Sequence, residues 1–380
     1  MTKWTPRAGL AGAALTLVVC APAEPEPDFD VAHETERLLI GTDFDAPLCQ
    51  GALALLDAQL AELERRFAHA PPRKLHAVLY DRPAEICGGI RGGVPACYVS
   101  GVAHGEWEKM SHELVHAYLH ALNPRPVPLL DEGFAVAHDG RVTQTYEDVA
   151  LAPLLTRGYE EIDAREYLAA GHFMAWLSRE RGDEALFELL LRAEAGMEQE
   201  TIESLAEELL GARLSALELE FRARARELSP GSGVFACAGG QPIEWRGASI
   251  ELAPALTCDD AGTLLRLGDG PAQGWRRYTV TLPAGDYALR VDGARGALQR
   301  CLDRPADAAT LEPTPPPALA DWGESWNNAL YHHGFNGDAL TPGAAEQLSL
   351  PAGTYTLWIG SALGEGDSDD GPPRLSLTPR

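Results

Sequence analysis

Apolar positions in the first part of the chain alternate between strand-like and helix-like spacing. Short apolar runs at residues 37–40 and 75–80 predict two strands. Between the runs, apolar residues recur three and four positions apart, which predicts a helix within residues 45–69; they are Leu53, Leu56, Leu60, Leu63 and Phe67. A further strand is predicted at residues 98–102, after a glycine-rich loop at residues 88–93. This alternation indicates an α+β fold.

Residues 105–122 have the pattern of an amphipathic helix with two chemically different faces. The apolar face consists of Trp107, Met110, Leu114, Ala117 and Ala121. His112 and His116 lie on the opposite face, where a buried helix would present them to a site. Prolines at 124, 126 and 128 end this helix, and a second helical segment is predicted to begin near Leu130.

The polar face carries the sequence His-Glu-Leu-Val-His at residues 112–116, and Glu132 follows in the second helical segment. Residues four apart on a helix are separated by about 40° and roughly 6 Å along the axis, so His112 and His116 can bind one metal ion. Glu132, expected in the first turn of its helix, supplies a third ligand. Glu113 would point beside the metal, where its carboxylate can accept a proton from zinc-bound water and pass it to a leaving amine. The predicted cofactor is one zinc ion.

Two sequence blocks, residues 111–117 and 130–135, resemble the motifs of the gluzincin zinc peptidases, most of all their peptidase-MA-like and aminopeptidase-N-like branches. The looser resemblance over residues 31–210 implies a gluzincin-like mixed sheet with the zinc helices, and an extended substrate along an edge strand, here residues 98–102. The aminopeptidase-N signature Gly-x-Met-Glu-Asn, which grips a free amino terminus, is absent, so we expect an endopeptidase. The metzincin pattern does not fit the spacing, and His120 is interpreted as a helix-surface residue.

The same resemblance suggests residues around the zinc ion. Residues 167–177 are similar to the helix that carries the catalytic Tyr, so Tyr167 is the candidate that stabilises the oxyanion, although the family's following Lys and Gly are replaced. His172 is a second candidate, and a helix that only covers the site is the alternative. Thermolysin-like enzymes steady a His with an Asp four residues after the ligand Glu, where this chain has Val136. Either another carboxylate, such as Asp131 or Asp139, orients the ligands, or zinc is held more weakly.

The last third of the chain changes from helical to strand-like patterns. Helical spacing continues over residues 183–227, and the sequence Ser-Pro-Gly-Ser-Gly at 229–233 then marks a domain boundary. Strands are predicted at 278–282 and 355–359, and the phrase Leu-Pro-Ala-Gly-x-Tyr occurs in both regions. Such repeated turns favour an antiparallel β-sandwich, similar to modules appended to secreted bacterial peptidases. We therefore divide the chain into a signal or lipoprotein segment (1–23), an acidic Pro-rich tether (24–30), a zinc peptidase domain (31–228) and an accessory β-sandwich (234–380).

Charge and the amino-terminal segment restrict location and partners. A formal net charge of −25 argues against nucleic acid and against basic patches that bind anionic membranes. Two basic residues followed by an apolar run at residues 8–19 indicate an export signal. We favour a lipoprotein of the cell envelope, lipidated at Cys20, which would be the membrane attachment; cleavage after Ala-Pro-Ala at 21–23 would instead give a secreted protein.

An oxidising location favours disulfides among the six other cysteines. Cys87 with Cys97 would close the glycine-rich loop, and Cys258 with Cys301 would staple the last domain. Cys49 and Cys237 would then join the two domains.

The sequence therefore predicts an exported zinc metallopeptidase that hydrolyses peptide bonds in a peptide or protein substrate. The alternative is a catalytically retired peptidase fold that binds a partner through its β domain. A structural zinc site is a lesser option, because three ligands leave a coordination position open. Substrate preference and oligomeric state are not indicated.

Overall fold

The computed structural model describes residues 29–44, 48–80, 86–87, 96–139, 149–224, 240–258, 262–266, 273–300, 340–341, 343–362 and 373–380, and these form an α+β fold as predicted. The helices are α1 (Gln50–Phe67), α2 (Trp107–Leu122), α3 (Pro128–His138), α4 (Ala164–Arg181), α5 (Asp183–Arg192), α6 (Gln199–Leu210) and α7 (Leu214–Arg224), with 3-10 turns at Ala152–Leu154 and Tyr159–Glu161. The predicted export signal with Cys20, residues 24–28 of the tether, the loop at 88–93 and the break at 229–233 lie outside the described residues.

A mixed five-stranded sheet supports the amino-terminal half. Its strands are β1 (His33–Glu34), β2 (Leu38–Thr42), β3 (Leu75–Tyr80), β4 (Ala96–Val99) and β5 (Val102–Glu106), in the order β1-β2-β3-β5-β4. β2, β3 and β5 are parallel, whereas β1 and β4 run antiparallel at the two edges. Helix α1 connects β2 to the parallel β3, as such a crossover requires, and it buries the predicted apolar stripe.

The single strand predicted at 98–102 is wrong, because a tight turn divides it. β4 ends at Val99 and β5 begins at Val102, and these two residues pair in antiparallel register. Between them Ser100 has φ 53° and Gly101 has φ 85°, left-handed values that reverse the chain. The edge strand is therefore β4, and the reversal leads through β5 directly into helix α2, which carries His112 and His116.

Helix α2 begins at Trp107, not at residue 105, because the two preceding residues belong to β5. A Cβ on Gly105 would lie 2.6 Å from the Cβ of Ala96 on β4, so a glycine allows the hairpin to close. Helix α3 begins at Pro128, a favoured first helical residue, which places Glu132 in its second turn and not in the predicted first turn.

Helices α3 and α4 pack with their backbones unusually close together. A Cβ on Gly133 would lie 2.9 Å from Met174 Cγ, and one on Gly171 would lie 2.2 Å from Val136 Cγ1. Side chains at these positions would force the helices apart, so the two glycines fix α3 against α4. Helix α3, which carries Glu132, is thereby held in place by α4.

The strands β6 to β14 form two further sheets, together called the β unit here. They are β6 (Gln241–Ile243), β7 (Ile250–Leu252), β8 (Thr263–Arg266), β9 (Gln273–Leu282), β10 (Gly285–Asp292), β11 (Arg295–Arg300), β12 (Ala345–Leu350), β13 (Gly353–Ala362) and β14 (Arg374–Pro379). One sheet has the order β12-β10-β14-β7, and the other β11-β13-β9-β6 with β8 also on β9. Side chains from both sheets share one apolar cluster.

The repeated Leu-Pro-Ala-Gly phrases connect the two sheets and do not form hairpins within one sheet. The first leads from β9 to β10 and the second from β12 to β13, so each carries the chain from one sheet to the other. The two turns also pair with each other, Leu282 opposite Gly353 and Gly285 opposite Leu350.

The β unit packs directly on the amino-terminal half. Its side chains Leu264, Trp275, Ala297 and Trp358 belong to the same apolar core as α1 to α7. A Cβ on Gly51 of α1 would lie 2.4 Å from the carbonyl oxygen of Thr263, so the backbone of β8 lies against the first turn of α1.

Two disulfides lie in the described residues. The predicted Cys87–Cys97 bond is confirmed. The other two predicted pairs are wrong, because Cys49 bonds to Cys258. Cys49 precedes the first turn of α1, where Gln50 N donates to the carbonyl of Cys258 at 3.4 Å, so the β unit brings its cysteine to that end of the helix. Disulfides indicate an oxidising, exported environment.

Candidate metal centre

Helix α2 presents His112 and His116 toward α3 while its other face enters the core. Met110 and Leu114 are fully buried, as the apolar stripe predicts. His116 is 5% exposed and His112 lies half-buried one turn earlier. The chain reverses through the prolines after Leu122 and returns as α3, so Glu132 comes to face both imidazoles.

Three potential ligand atoms form a nearly equilateral triangle. His112 Nε2 and His116 Nε2 are 3.2 Å apart, and Glu132 Oε2 is 3.5 Å from each of them. Zinc at about 2.0–2.1 Å from three corners of a tetrahedron separates those corners by about 3.3–3.4 Å. The structure thus brings together the three residues predicted as ligands, and their spacing fits a metal ion with a fourth position open.

A second group, His116, His120 and Asp131, also lies close enough for a metal ion. Its distances are shorter, however: Asp131 Oδ1 is 2.9 Å from His116 Nδ1, and Asp131 Oδ2 is 2.9 Å from His120 Nε2. These are ordinary hydrogen-bond lengths, and a His116 that binds a metal through Nε2 carries a proton on Nδ1. The spacing therefore favours the first group as the candidate metal position, with Asp131 hydrogen-bonded to its His116.

A carboxylate orients each of the two histidines from behind. His116 Nδ1 faces Asp131, and His112 Nδ1 lies 3.2 Å from Asp139 Oδ2. Both aspartates are 1% exposed. The sequence had left open whether Asp131 or Asp139 compensates for Val136, and the structure places both behind ligand histidines. Such carboxylate–histidine pairs fix the imidazole orientation in metal sites.

His120 is not the helix-surface residue that the sequence predicted. Its Nε2 faces Asp131, and the ring of Tyr98 on β4 lies 4.7 Å from its own ring. The hydroxyl of Tyr159 donates to Asp131 Oδ2 at 2.6 Å and lies 3.4 Å from His120 Nε2. Sequence reasoning missed the roles of Tyr98, His120 and Tyr159 at this centre. For His120 there was a signal, because it follows His112 and His116 at intervals of four and therefore lies on the same face of the helix.

The buried carboxylates stabilise positive charge at this site. Burial alone would lower the pKa of His116, but the charges of Asp131 and Glu132 raise it well above 6.5. Burial would likewise raise the pKa of Glu132, but the charge of His116 and hydrogen bonds from both histidines lower it to about 2. The pKa of Asp131 lies below its ordinary value because His116 outweighs burial. The same negative charges would stabilise a divalent cation bound at this site.

Glu113, the predicted base, is 6% exposed and follows His112 directly on α2. A general base must lie within hydrogen-bond reach of the water that it deprotonates. Adjacent residues on a helix are rotated by about 100°, so Glu113 leaves α2 in a different direction from His112, and it does not belong to the group of His112, His116 and Glu132.

Tyr167, the predicted oxyanion donor, is half-buried on α4, and its hydroxyl lies 3.4 Å from the carbonyl oxygen of Tyr159. Its contact is thus with the turn that supplies Tyr159, and its catalytic role stays a prediction. The second candidate, His172, is 3% exposed, and burial lowers its pKa to about 4. It is neutral at physiological pH.

The edge strand β4 borders this centre. Tyr98 on β4 contacts His120 of α2, and the neighbouring Cys97 is bonded to Cys87. Among the described strands β4 pairs with β5 alone, so it is an edge strand of the described sheet, and an edge strand can pair with an added strand.

No protein-family model matches the chain, and no curated protein is similar to it in sequence. None of the helices within the described ranges combines the length and the apolar character that crossing a bilayer requires.

Proposed function

We propose that this protein is an exported zinc-dependent endopeptidase. The observation that carries the proposal is the triangle of His112 Nε2, His116 Nε2 and Glu132 Oε2, with edges of 3.2, 3.5 and 3.5 Å. Its donor set of two imidazoles and one carboxylate is that of catalytic zinc sites, which keep one position open, whereas structural sites close it with a fourth protein ligand. The metal is a single ion, and the fold around it is gluzincin-like.

When bound, zinc supplies Lewis acidity, which polarises a carbonyl group and makes water acidic near neutral pH. The protein's own residues supply the rest of the chemistry. Asp131 and Asp139 hold the two imidazoles in place. Glu113 accepts the proton of the attacking water at its carboxylate and returns a proton to the leaving amine. Tyr167 is the proposed donor to the oxyanion.

The open edge of β4 supports an endopeptidase. An extended peptide can add to such an edge through backbone hydrogen bonds, whatever its side chains are. The β4 sequence Ala-Cys-Tyr-Val carries no acidic residue that would bind a free amino terminus. The peptide substrate would thus continue in both directions past the metal, as internal cleavage requires.

The β unit fits an accessory β-sandwich, because two sheets share one apolar cluster and the repeated turns cross between them. We place the protein in the cell envelope as a lipoprotein lipidated at Cys20, or outside the cell if cleavage follows residues 21–23. The disulfides support both locations equally.

Four proteins test the proposal: wild type, Glu132→Ala, Glu113→Gln and the control Glu203→Gln. Glu203 is a buried carboxylate on α6 whose oxygens accept Ser215 N, so its variant repeats the substitution away from the centre. Metal content by mass spectrometry and digestion of a peptide library are measured on each. We expect about one zinc per wild-type chain, and a loss of both zinc and cleavage in Glu132→Ala.

Glu113→Gln separates the base from the metal. It should retain zinc and lose cleavage by at least about 100-fold, the usual contribution of a general base, while Glu203→Gln keeps both. Wild type that binds no zinc after reconstitution would overturn the proposal. Zinc binding with equal digestion by wild type and Glu113→Gln would remove Glu113 from the mechanism, and zinc without any digestion would favour a retired peptidase fold that acts through the β unit.

A further inference from the structure

Asp131 is a buried carboxylate at which three side chains from two other elements meet. Its Oδ1 faces His116 Nδ1 at 2.9 Å, while its Oδ2 faces His120 Nε2 at 2.9 Å and accepts from the Tyr159 hydroxyl at 2.6 Å. The residue is 1% exposed. A carboxylate so far from water needs several donors to remain charged, and these three provide them.

The two carboxylate oxygens of Asp131 have different hydrogen-bond partners. Oδ1 belongs to the ligand histidine, whereas Oδ2 is held by His120 and Tyr159, which are not ligands of the proposed metal. With Oδ2 fixed, the carboxylate plane cannot rotate, so Oδ1 stays in line with His116 Nδ1. That alignment keeps the proton on Nδ1 and leaves Nε2 as the metal ligand.

The positions of His120 and Tyr159 are themselves fixed by the fold. His120 lies one turn beyond His116 on α2, and the ring of Tyr98 packs against it with centroids 4.7 Å apart. Tyr159 begins the short turn at Tyr159–Glu161, whose carbonyl at Tyr159 faces the Tyr167 hydroxyl of α4. Asp131 is thus held between α2 and the turn before α4, independently of the metal.

We propose that Tyr159 and His120 are positioning residues that act through Asp131 to set the metal affinity of His116. The inference rests on the metal site of the proposed function. It assigns two residues outside the His-Glu-x-x-His and Glu motifs to the same centre. Neither touches the reacting atoms, so their effect must appear in metal binding first.

The test measures zinc affinity of the full chain by competition with a chromophoric chelator. Tyr159→Phe removes one hydroxyl and should weaken zinc binding about 3- to 10-fold, less than the roughly 10- to 100-fold expected for Asp131→Asn, because it acts one bond further out. Tyr118→Phe is the matched control. Tyr118 is a fully buried tyrosine of α2 whose hydroxyl donates to the carbonyl of His69 at 2.8 Å, and its loss should change zinc affinity less than twofold.

A double-mutant cycle decides whether Tyr159 acts through Asp131. In the Asp131→Asn background, Tyr159→Phe should have no further effect on zinc affinity, since the carboxylate that it braces is gone. Cobalt substitution gives a second readout, because its visible absorption reports ligand geometry: the spectrum should change in Tyr159→Phe and stay the same in Tyr118→Phe. A merely destabilised fold would not produce this pattern.

His120 provides an independent pair of variants in case Tyr159→Phe does not fold. His120→Phe keeps the ring beside Tyr98 but removes the donor, so zinc affinity should fall about 3- to 10-fold; His120→Gln restores a donor and should recover most of it. Equal affinities for wild type, Tyr159→Phe and His120→Phe would overturn the inference and leave the proposed function intact. A wild-type chain that binds no zinc would overturn both.

Discussion

Two histidines outside the candidate metal centre, His138 and His172, are buried, and burial disfavours their protonated form. His138 is 2% exposed between Phe67 and Phe134, and neither of its ring nitrogens has a hydrogen-bond partner within the described residues. Burial lowers its pKa well below 6.5. His172 is similarly buried, with a pKa of about 4. Both side chains are neutral in the folded protein and become charged only on unfolding at mildly acidic pH.

His172 should therefore make the protein less stable in acid. Its folded pKa of about 4 lies below the unfolded value of 6.5, so its contribution is complete above pH 6.5 and is lost as pH falls toward 4. The full loss corresponds to about 3 kcal/mol. Urea unfolding of wild type and His172→Gln at pH 7.5 and pH 4.5 should give a smaller pH-dependent loss for the variant. Equal losses in both proteins would mean that His172 is protonated in the fold.

At the scale of elements, the sequence predicted those features whose signal is local. The spacing of apolar residues was sufficient to predict α1, β3 and the amphipathic helix α2, because an element that buries one face repeats its apolar residues periodically along the sequence. The division at Ser100 and Gly101 was missed, since the apolar residues on both sides read as one strand. The candidate ligands His112, His116 and Glu132 were predictable because they occur in a recognisable sequence motif. Tyr98, His120 and Tyr159 were not, because they come together only through tertiary packing.

The two Pro-Ala-Gly turns contain the same hydrogen bond, from a tyrosine hydroxyl to the carbonyl of the proline four residues earlier. Tyr287 donates its hydroxyl to the carbonyl of Pro283 at 2.8 Å, and Tyr355 donates to that of Pro351 at 2.6 Å. Each tyrosine is 2% exposed and closes the turn from which its own strand leaves. The recurrence of Tyr four residues after Pro was visible in the sequence, but its role in crossing between sheets was not.

Removing either hydroxyl should loosen one crossover. We expect Tyr287→Phe and Tyr355→Phe each to lower the free energy of unfolding by about 1 kcal/mol, because each variant loses one partly buried hydrogen bond to a turn carbonyl. Ser249→Ala is the control, since that hydroxyl bonds Thr378 on an exposed face and should contribute close to nothing. Chemical denaturation provides the comparison, and tyrosine variants as stable as Ser249→Ala would show that the turns do not depend on these bonds.

At the scale of the whole molecule, pairing of distant cysteines could not be read from spacing. Any of the six cysteines after Cys20 could have met any other, and the choice depends on which surface of the β unit lies on α1. The contact of Gly51 with the backbone of Thr263 sets that surface. Cys49 and Cys258 meet beside it, so the β unit is bonded to the start of the helix whose buried face packs in the amino-terminal half, which contains the candidate metal centre.

The two disulfides should therefore differ in their contribution to stability. Cys49–Cys258 joins residues 209 positions apart, whereas Cys87–Cys97 joins residues 10 apart. Loop-closure entropy predicts losses of about 5 kcal/mol for the first pair and about 3 kcal/mol for the second when both cysteines become serine. Denaturant unfolding of the Cys49→Ser/Cys258→Ser and Cys87→Ser/Cys97→Ser chains under non-reducing conditions measures both.

Limited proteolysis separates the long-range bond from the local one. Without Cys49–Cys258 the β unit is held on α1 only by packing, so cleavage between the two parts should accelerate while each part stays resistant. The Cys87→Ser/Cys97→Ser chain should be cut near β4 instead. If the first variant were as stable and as resistant as wild type, packing of β8 against α1 would suffice to hold the two halves together, and the disulfide would add nothing to the interface.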